Sequence, residues 1–540
     1  MSRRFLCLSV FLFLVAALPL SADSPGVYAI TGGTVHPVSS PEIANGVVVI
    51  RDGLIEAVGA NAAIPPDATV IDVKGSHVYP GLIDAQTSLG FPNASAPRRR
   101  GGGGGGARTP PAEPLPETGP SFLAFREAKL SDDDVDAKRG TGVLTIVTAP
   151  SFGIFNGQSV ALNLSSGTME SRVVRNPATQ QISFNPRPAW TYPDSLMGVI
   201  SFIRQTFLDA QQYSAAHSIY DKNPAGYKRP DESSSLDALG AVLRRDVPLV
   251  FVADSELMIR RAEAIAKEFN VRMIVAGARQ GYKMADELKS LGAPVLVSTK
   301  WPMPPTSKED REEQSLRVIR DRQLAPTTPA VLARSGVLFA LVSGTGKTGD
   351  YFPGIRKAID NGLSADDALR ATTINPAKII GIDRQLGSLD RGKIANIVIT
   401  DKPIFDKEAK VKRIFVDGRE SKVPAEDEKK KPGAAPGAAS TASGVDGSWS
   451  LVVKASTGDV NISAMLQLEN GQISGTFSGD RGSGTVGNGT LDGTTVTFSI
   501  AGRGQQEAGD WLFHGTLHGS NMEGTVSTTL GTFPFTGSKK

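Results

Sequence analysis

Residues 78–90 read VYPGLIDAQTSLG, and this stretch separates two kinds of sequence. Before it, residues 27–80 alternate apolar and polar positions through VYAITGGTVHP, NGVVVIRDGLIEAVG and ATVIDVKGSHVYP, with Gly-Gly, Asn-Gly and Asp-Gly breaking the alternation. Such runs are strands joined by tight turns, because successive strand side chains take opposite faces and Gly or Asn adopts positive φ readily. After it, residues 81–380 mix short apolar runs with amphipathic ones. Strands are expected at Val143–Thr148, Leu249–Ala253, Val271–Ala276, Val295–Ser298 and Val337–Ser343. Helices such as Glu256–Phe269 and Ala285–Leu291 lie between them. Strand alternating with helix over about 300 residues is an α/β pattern of parallel βαβ units, a natural size for a (β/α)8 TIM-like barrel with insertions.

The period-2 pattern returns in LGSLDRGKIANIVIT and VKRIFVDGRE, within residues 386–420. Residues 23–80 and 381–420 are therefore expected to form one small composite β-sandwich, which the chain leaves for the barrel at 81–380 and then rejoins. Two stretches are low in complexity. Residues 97–120 hold Arg98–Arg100, six glycines and then prolines, an insert without core-forming residues. Residues 421–445 are charged and then rich in Ala, Pro, Gly and Ser, which reads as a linker. Beyond it, 446–540 carries short alternating runs separated by Gly-rich turns, the pattern of a separate all-β barrel or sandwich of seven or eight strands.

The 540 residues are 40% hydrophobic and 21% charged, a globular composition that suits several domains at ~150 residues each. With 58 basic and 55 acidic residues, the chain has no strong pull toward nucleic acid. Residues 1–22, MSRRFLCLSVFLFLVAALPLSA, have the basic start, apolar run and small terminal residues of a signal peptide cleaved after Ala22. The apolar run is short of the ~20 residues a membrane span needs. A periplasmic or extracellular protein is expected, with no transmembrane span after cleavage. Cys7 is the one cysteine, which excludes a disulfide framework, a Cys-ligated zinc and an iron–sulfur cluster. The five histidines are His36, His77, His217, His514 and His518.

VYPGLIDAQTSLG resembles the opening of the barrel in the amidohydrolase superfamily, in particular its imidazolonepropionase-like members. GVLTIVTAP (142–150), NGQSVALNLSSG (156–167) and LSADDALRATTINPAKIIGIDRQLGSLDRGKIANIVI (363–399) agree in order, so the resemblance spans about 27–420. The tail is similar in style to lipocalin-type barrels. The resemblance implies hydrolysis of non-peptide C–N bonds with one or two divalent metals, for example zinc, which lower the pKa of bound water from 15.7 to about 7. Carried over position by position, the metal-ligand pattern is replaced. The first-strand His-x-His pair falls on Gln86 and Ser88, the fifth- and sixth-strand histidines on Val252 and Ala276, and the eighth-strand aspartate on Gly344. A carboxylated lysine on the fourth strand has no counterpart. Of the histidines, His217 alone lies within the barrel span, so no register restores the site. No cofactor is expected.

What the resemblance leaves is a barrel mouth whose candidate ligand-binding residues are Gln86, Ser88, Asp254, Arg279, Lys300 and Lys347. The leading expectation is an exported, degenerate homologue that binds a small molecule. Two alternatives stay open. One is hydrolysis without metal, with Ser88 as nucleophile and a Lys or Asp base. The other is a structural or partner-binding role through the C-terminal β domain. Lesser motifs carry less. SGTGKT (343–348) lacks the first glycine of a phosphate-binding Walker loop, since Leu341 stands there. His514 and His518 read as surface residues of a strand. Arg98–Arg100 has no aromatic partners for nucleic acid. Oligomeric state is not legible.

Overall fold

The computed structural model describes residues 26–91, 118–187, 191–305, 314–344, 350–423, 445–455, 458–469, 472–479, 482–492, 494–501, 510–528 and 531–539. The leader, Lys347, most of the 97–120 insert and most of the 421–445 linker lie outside the described residues. The chain divides into two compact units that part near residue 426.

The first unit opens with β1 (Tyr28–Val35), β2 (Ile43–Arg51), β3 (Leu54–Gly59), β4 (Thr69–Asp72) and β5 (His77–Pro80). The chain then enters β6 (Leu82–Thr87), β7 (Val143–Thr148), β8 (Phe155–Gln158), β9 (Val160–Asn163), β10 (Val173–Arg175) and β11 (Gln180–Ser183). These are followed by β12 (Leu249–Ala253), β13 (Met273–Gly277), β14 (Val295–Ser298) and β15 (Phe339–Val342). It returns through β16 (Ile397–Thr400), β17 (Val411–Val416) and β18 (Arg419–Ser421). Both flanks meet in one eight-stranded sheet, ordered β18-β17-β16-β5-β1-β2-β3 with β4 beside β1.

Two glycine turns show why the flanks fit. Asp52-Gly53 and Asp417-Gly418 all have φ between 52° and 81°, the geometry of a tight hairpin turn. A Cβ on Gly418 would lie 2.4 Å from Gly53 Cα, so these backbones touch across the flanks only because neither residue has a side chain.

In the central part, β6 and β7 are parallel, as are β11 to β15 in succession. One departure from a purely parallel pattern lies between the two sets. Residues 155–163 run antiparallel to both neighbours, β8 pairing with β11 and β9 with β7. The last strand meets the first where Thr87 bridges Gly344 and the Gly344 N–H donates to the Gln86 carbonyl at 2.9 Å. Ile83, Ala85, Val147, Val250, Ile274, Ala276, Leu296 and Val342 pack together in one buried cluster. Strands Val143–Thr148, Leu249–Ala253 and Val295–Ser298 lie where alternation and apolar runs put them. Two others are shifted or shortened, to Met273–Gly277 and Phe339–Val342.

Helices α1 (Asp132–Gly140), α2 (Leu196–Lys222), α3 (Glu256–Glu268), α4 (Leu316–Leu324), α5 (Tyr351–Asp360) and α6 (Ile374–Ile380) belong to this unit. Helix α1 begins at Ser131, whose Oγ accepts the Asp134 N–H at 3.1 Å, and three aspartates in its first turn oppose the helix dipole favourably. Its last turn delivers Lys138 into the interior, 1% exposed. There the Lys138 Nζ donates to Asp84 Oδ2 at 2.7 Å and to Ser343 Oγ at 3.1 Å. Asp84 is fully buried and also accepts the Ser343 N–H at 3.0 Å and the Ser343 hydroxyl. The Tyr351 ring covers the ammonium, 5.6 Å from Nζ.

The second unit is a closed barrel of eight antiparallel strands, β19 to β26, from Gly447–Ala455 to Gly531–Lys539. Trp449, Phe498, Phe513 and Phe535 fill its interior, with the Phe498 and Phe513 rings stacked at 4.8 Å. Trp449 Nε1 donates to the Val445 carbonyl at 2.7 Å, so the indole is buried without an orphaned donor. His514 and His518 are exposed on one strand, His518 beside Glu523 at 3.8 Å. Among the described residues, no helix is long and apolar enough to cross a membrane.

Two outcomes are expected. Lys138→Met leaves the Asp84 carboxylate buried without its cation and lowers the unfolding free energy of this unit by ~3–5 kcal/mol in urea titration. Adding Asp84→Leu to it restores part of that loss. The second outcome concerns His36, whose Nε2 lies 3.1 Å from His77 Nδ1 and whose ring stacks on Tyr79 at 4.3 Å. Burial, and then repulsion from His77, hold its pKa below the usual value against the pull of Glu42 and Asp366. The unfolded chain binds that proton more readily than the native one. Stability is therefore full above about pH 6.5 and falls as pH drops below it. Denaturation midpoints measured across this range show the fall, and His36→Phe flattens it.

Candidate functional site at the strand ends

The C-terminal ends of the parallel strands carry most of the candidate residues. Gln86 is half-buried in β6, and Ser88 follows that strand. Neither side chain makes a hydrogen bond among the described residues; their carbonyls accept from Gly344 and Phe91. Asp254 follows β12 and Arg279 follows β13, and the two adjacent loops bring them together as an ion pair of half-exposed side chains. Lys300 follows β14 and is exposed; its backbone N–H donates to Ser298 Oγ at 3.3 Å. The cation beside Asp254 is Arg279.

A connected polar network supports this rim. Gln280 Oε1 accepts the Glu256 N–H at 3.0 Å at the start of α3, while Gln280 Nε2 donates to Asp321 Oδ2 at 2.8 Å. Asp321, on α4, also accepts from the Tyr282 hydroxyl and Lys283 Nζ, each at 2.8 Å. The Lys283 hydrogen bond holds the Asp321 carboxyl below the usual carboxylate range against the cost of desolvation. Asp321 did not emerge from the sequence: it sits on a helix rich in arginine, where an acid reads as a solvated partner. Lys138, Asp84 and Ser343 were also missed. They lie directly behind the strand ends, but all are buried, so they form a structural clamp rather than a reactive group.

Similarity to known proteins bears on this arrangement. The amidohydrolase family profile matches residues 233–423. The imidazolonepropionase of Symbiobacterium thermophilum is 24% identical over 393 residues, 67% of this chain and 85% of that protein. An amidohydrolase from Thermotoga maritima has a crystal structure that matches with a TM-score of 0.61 at 24% identity, over 73% of this chain and 99% of that one. The chain is thus similar to amidohydrolases over about two thirds of its length. A shorter stretch of 65 residues is 40% identical to the N-substituted formamide deformylase of Arthrobacter pascens, 11% of this chain and 12% of that protein. These amidohydrolase neighbours imply a TIM-barrel-type fold for the central part.

The residues at the positions that the resemblance assigns to divalent-metal ligands, Gln86, Ser88, Val252, Ala276 and Gly344, suit such a metal poorly. Val252 and Ala276 are direct neighbours in the β12–β13 pairing, and neither has a donor atom in its side chain. Gly344 has a φ of 59°, and a Cβ there would lie 3.3 Å from Ser298 Oγ, so the backbone itself disfavours an aspartate. Among the described residues, no three His, Cys, Asp or Glu side chains converge. His217 lies on α2 against Tyr213, with ring centroids 4.2 Å apart. An amide, a hydroxyl and three apolar positions form a poor donor set for zinc, which takes imidazole, thiolate and carboxylate.

Asp321→Asn weakens the charge-assisted bond from Lys283. The expected cost is about 1 kcal/mol by urea titration, with the difference from the parent chain shrinking as acid protonates Asp321 below its usual range of about 4.

Proposed function

We propose that this protein retains the superfamily's barrel scaffold and uses the mouth formed by its strand ends to bind a small polar molecule, without the metal-dependent hydrolysis of its relatives. One observation carries the reading: the positions to which the resemblance carries the metal ligands hold Gln86, Ser88, Val252, Ala276 and Gly344. Losing one ligand leaves a metal site weakened; losing them all removes the Lewis acid that would activate water. What remains at the mouth is hydrogen-bonding and charged. Gln86 and Ser88 offer neutral donors and acceptors without side-chain hydrogen bonds among the described residues, and Asp254, Arg279 and Lys300 offer charges of both signs. A ligand with separated polar groups suits that mixture better than a purely apolar one. No basic side chain hydrogen-bonds Ser88 among the described residues, so nothing there activates it as a nucleophile. The signal-like residues 1–22 support export to the periplasm or the exterior.

Elemental analysis of the purified chain, after dialysis against zinc, nickel and manganese, tests the reading directly. Less than about one-tenth of an equivalent of any metal is expected, because a site lacking charged or imidazole ligands cannot retain it. About one tightly held metal per chain overturns the proposal and restores the hydrolase assignment.

A further inference from the structure

The N-terminal ends of β12 to β15, opposite the strand ends considered above, frame a hollow of about 470 Å³. Its charge is one-sided. Arg245, Lys267, Arg272 and Lys378 line it, against a single carboxylate, Glu263, which accepts from Lys267 Nζ at 2.5 Å. The other cations have no acidic partner among the described residues. Arg245 Nη1 donates to the neutral Asn270 Oδ1 at 2.8 Å, and Arg272 Nη1 reaches the Arg245 carbonyl at 3.4 Å. Nearby Asp246 is engaged by Arg244 at 3.1 Å. Outside the lining, Arg175 is anchored on the Ile380 carbonyl at 2.8 Å. Burial, and then repulsion from Arg272, hold its pKa below the usual arginine value.

Three unpaired cations on the rim of one hollow repel each other unless an anion joins them, and guanidinium groups match phosphate oxygens two at a time. The volume lies within the range of small-ligand pockets, and Leu291 and Leu338 supply apolar wall. We infer that this hollow is a binding site for a small polyvalent ligand bearing phosphate groups, separate from the strand-end mouth and independent of what that mouth binds.

The probe is inorganic pyrophosphate, titrated calorimetrically into the full chain at low ionic strength. One-to-one binding is expected, weakened about tenfold or more in the double variant Arg272→Gln/Lys378→Gln. A second double variant, Lys402→Gln/Arg413→Gln, removes the same charge from the returning β-strands and their loop and is expected to bind as the parent does. All these side chains are exposed, and thermal melts establish that both variants fold. No uptake by the parent, undiminished binding in the first variant, or an equal loss in the second each overturns the assignment.

Discussion

The large unit closes around one buried carboxylate. Asp84 is fully removed from solvent, and an ionised group there is costly unless it is paired and hydrogen-bonded. It is satisfied by Lys138 from α1 and by both the backbone and hydroxyl of Ser343 at the end of β15. These partners come from 54 and 259 residues away, so the first and last central strands and the helix between them must all arrive for the charge to be tolerated. Two residues past Asp84, the Gln86 carbonyl accepts the Gly344 N–H and completes the seam. The positions of the strand ends, and hence of any site they carry, follow from that closure.

A second polar cluster ties the central strands to the sheet built from both flanks. Asn396 donates to Thr145 Oγ1 at 3.2 Å and Asn163 Oδ1 at 2.9 Å, while Asn163 in turn donates to Asp417 at 2.6 Å. Asp417 belongs to the turn whose neighbour, Gly418, touches Gly53. The same few residues thus set the hairpin, the flank-to-flank contact and the attachment to β7 and β9. Buried amides are directional, and a network satisfied in one arrangement disfavours alternatives more sharply than apolar packing does.

On the proposed reading, scaffold and chemistry have separated in this molecule. The likeness to amidohydrolases rests on strand patterns and on the closing helices and strands, which serve packing. The positions to which the resemblance carries the metal ligands are few, and Ala276 among them now packs in the buried apolar cluster. Fold and activity are under different physical constraints, and likeness in one does not carry the other.

Much of the architecture was legible in the sequence because it is written locally. Period-2 alternation marks the flank strands, Asp-Gly pairs mark their turns, and short apolar runs mark Val143–Thr148, Leu249–Ala253 and Val295–Ser298. The repeated glycine-turn pattern of 446–540 likewise announces a set of short antiparallel strands, a barrel or a sandwich, and the tertiary structure closes them into a barrel. The tertiary structure decided the rest. It placed 155–163 antiparallel between two parallel sets and paired Lys138, in an acid-rich helix that reads as solvated, with Asp84. It gathered Gln280, Tyr282 and Lys283 on Asp321, and brought Arg245, Arg272 and Lys378 to one hollow. Each of these depends on groups distant in sequence meeting where water is excluded or charges crowd, and no local period records such a meeting.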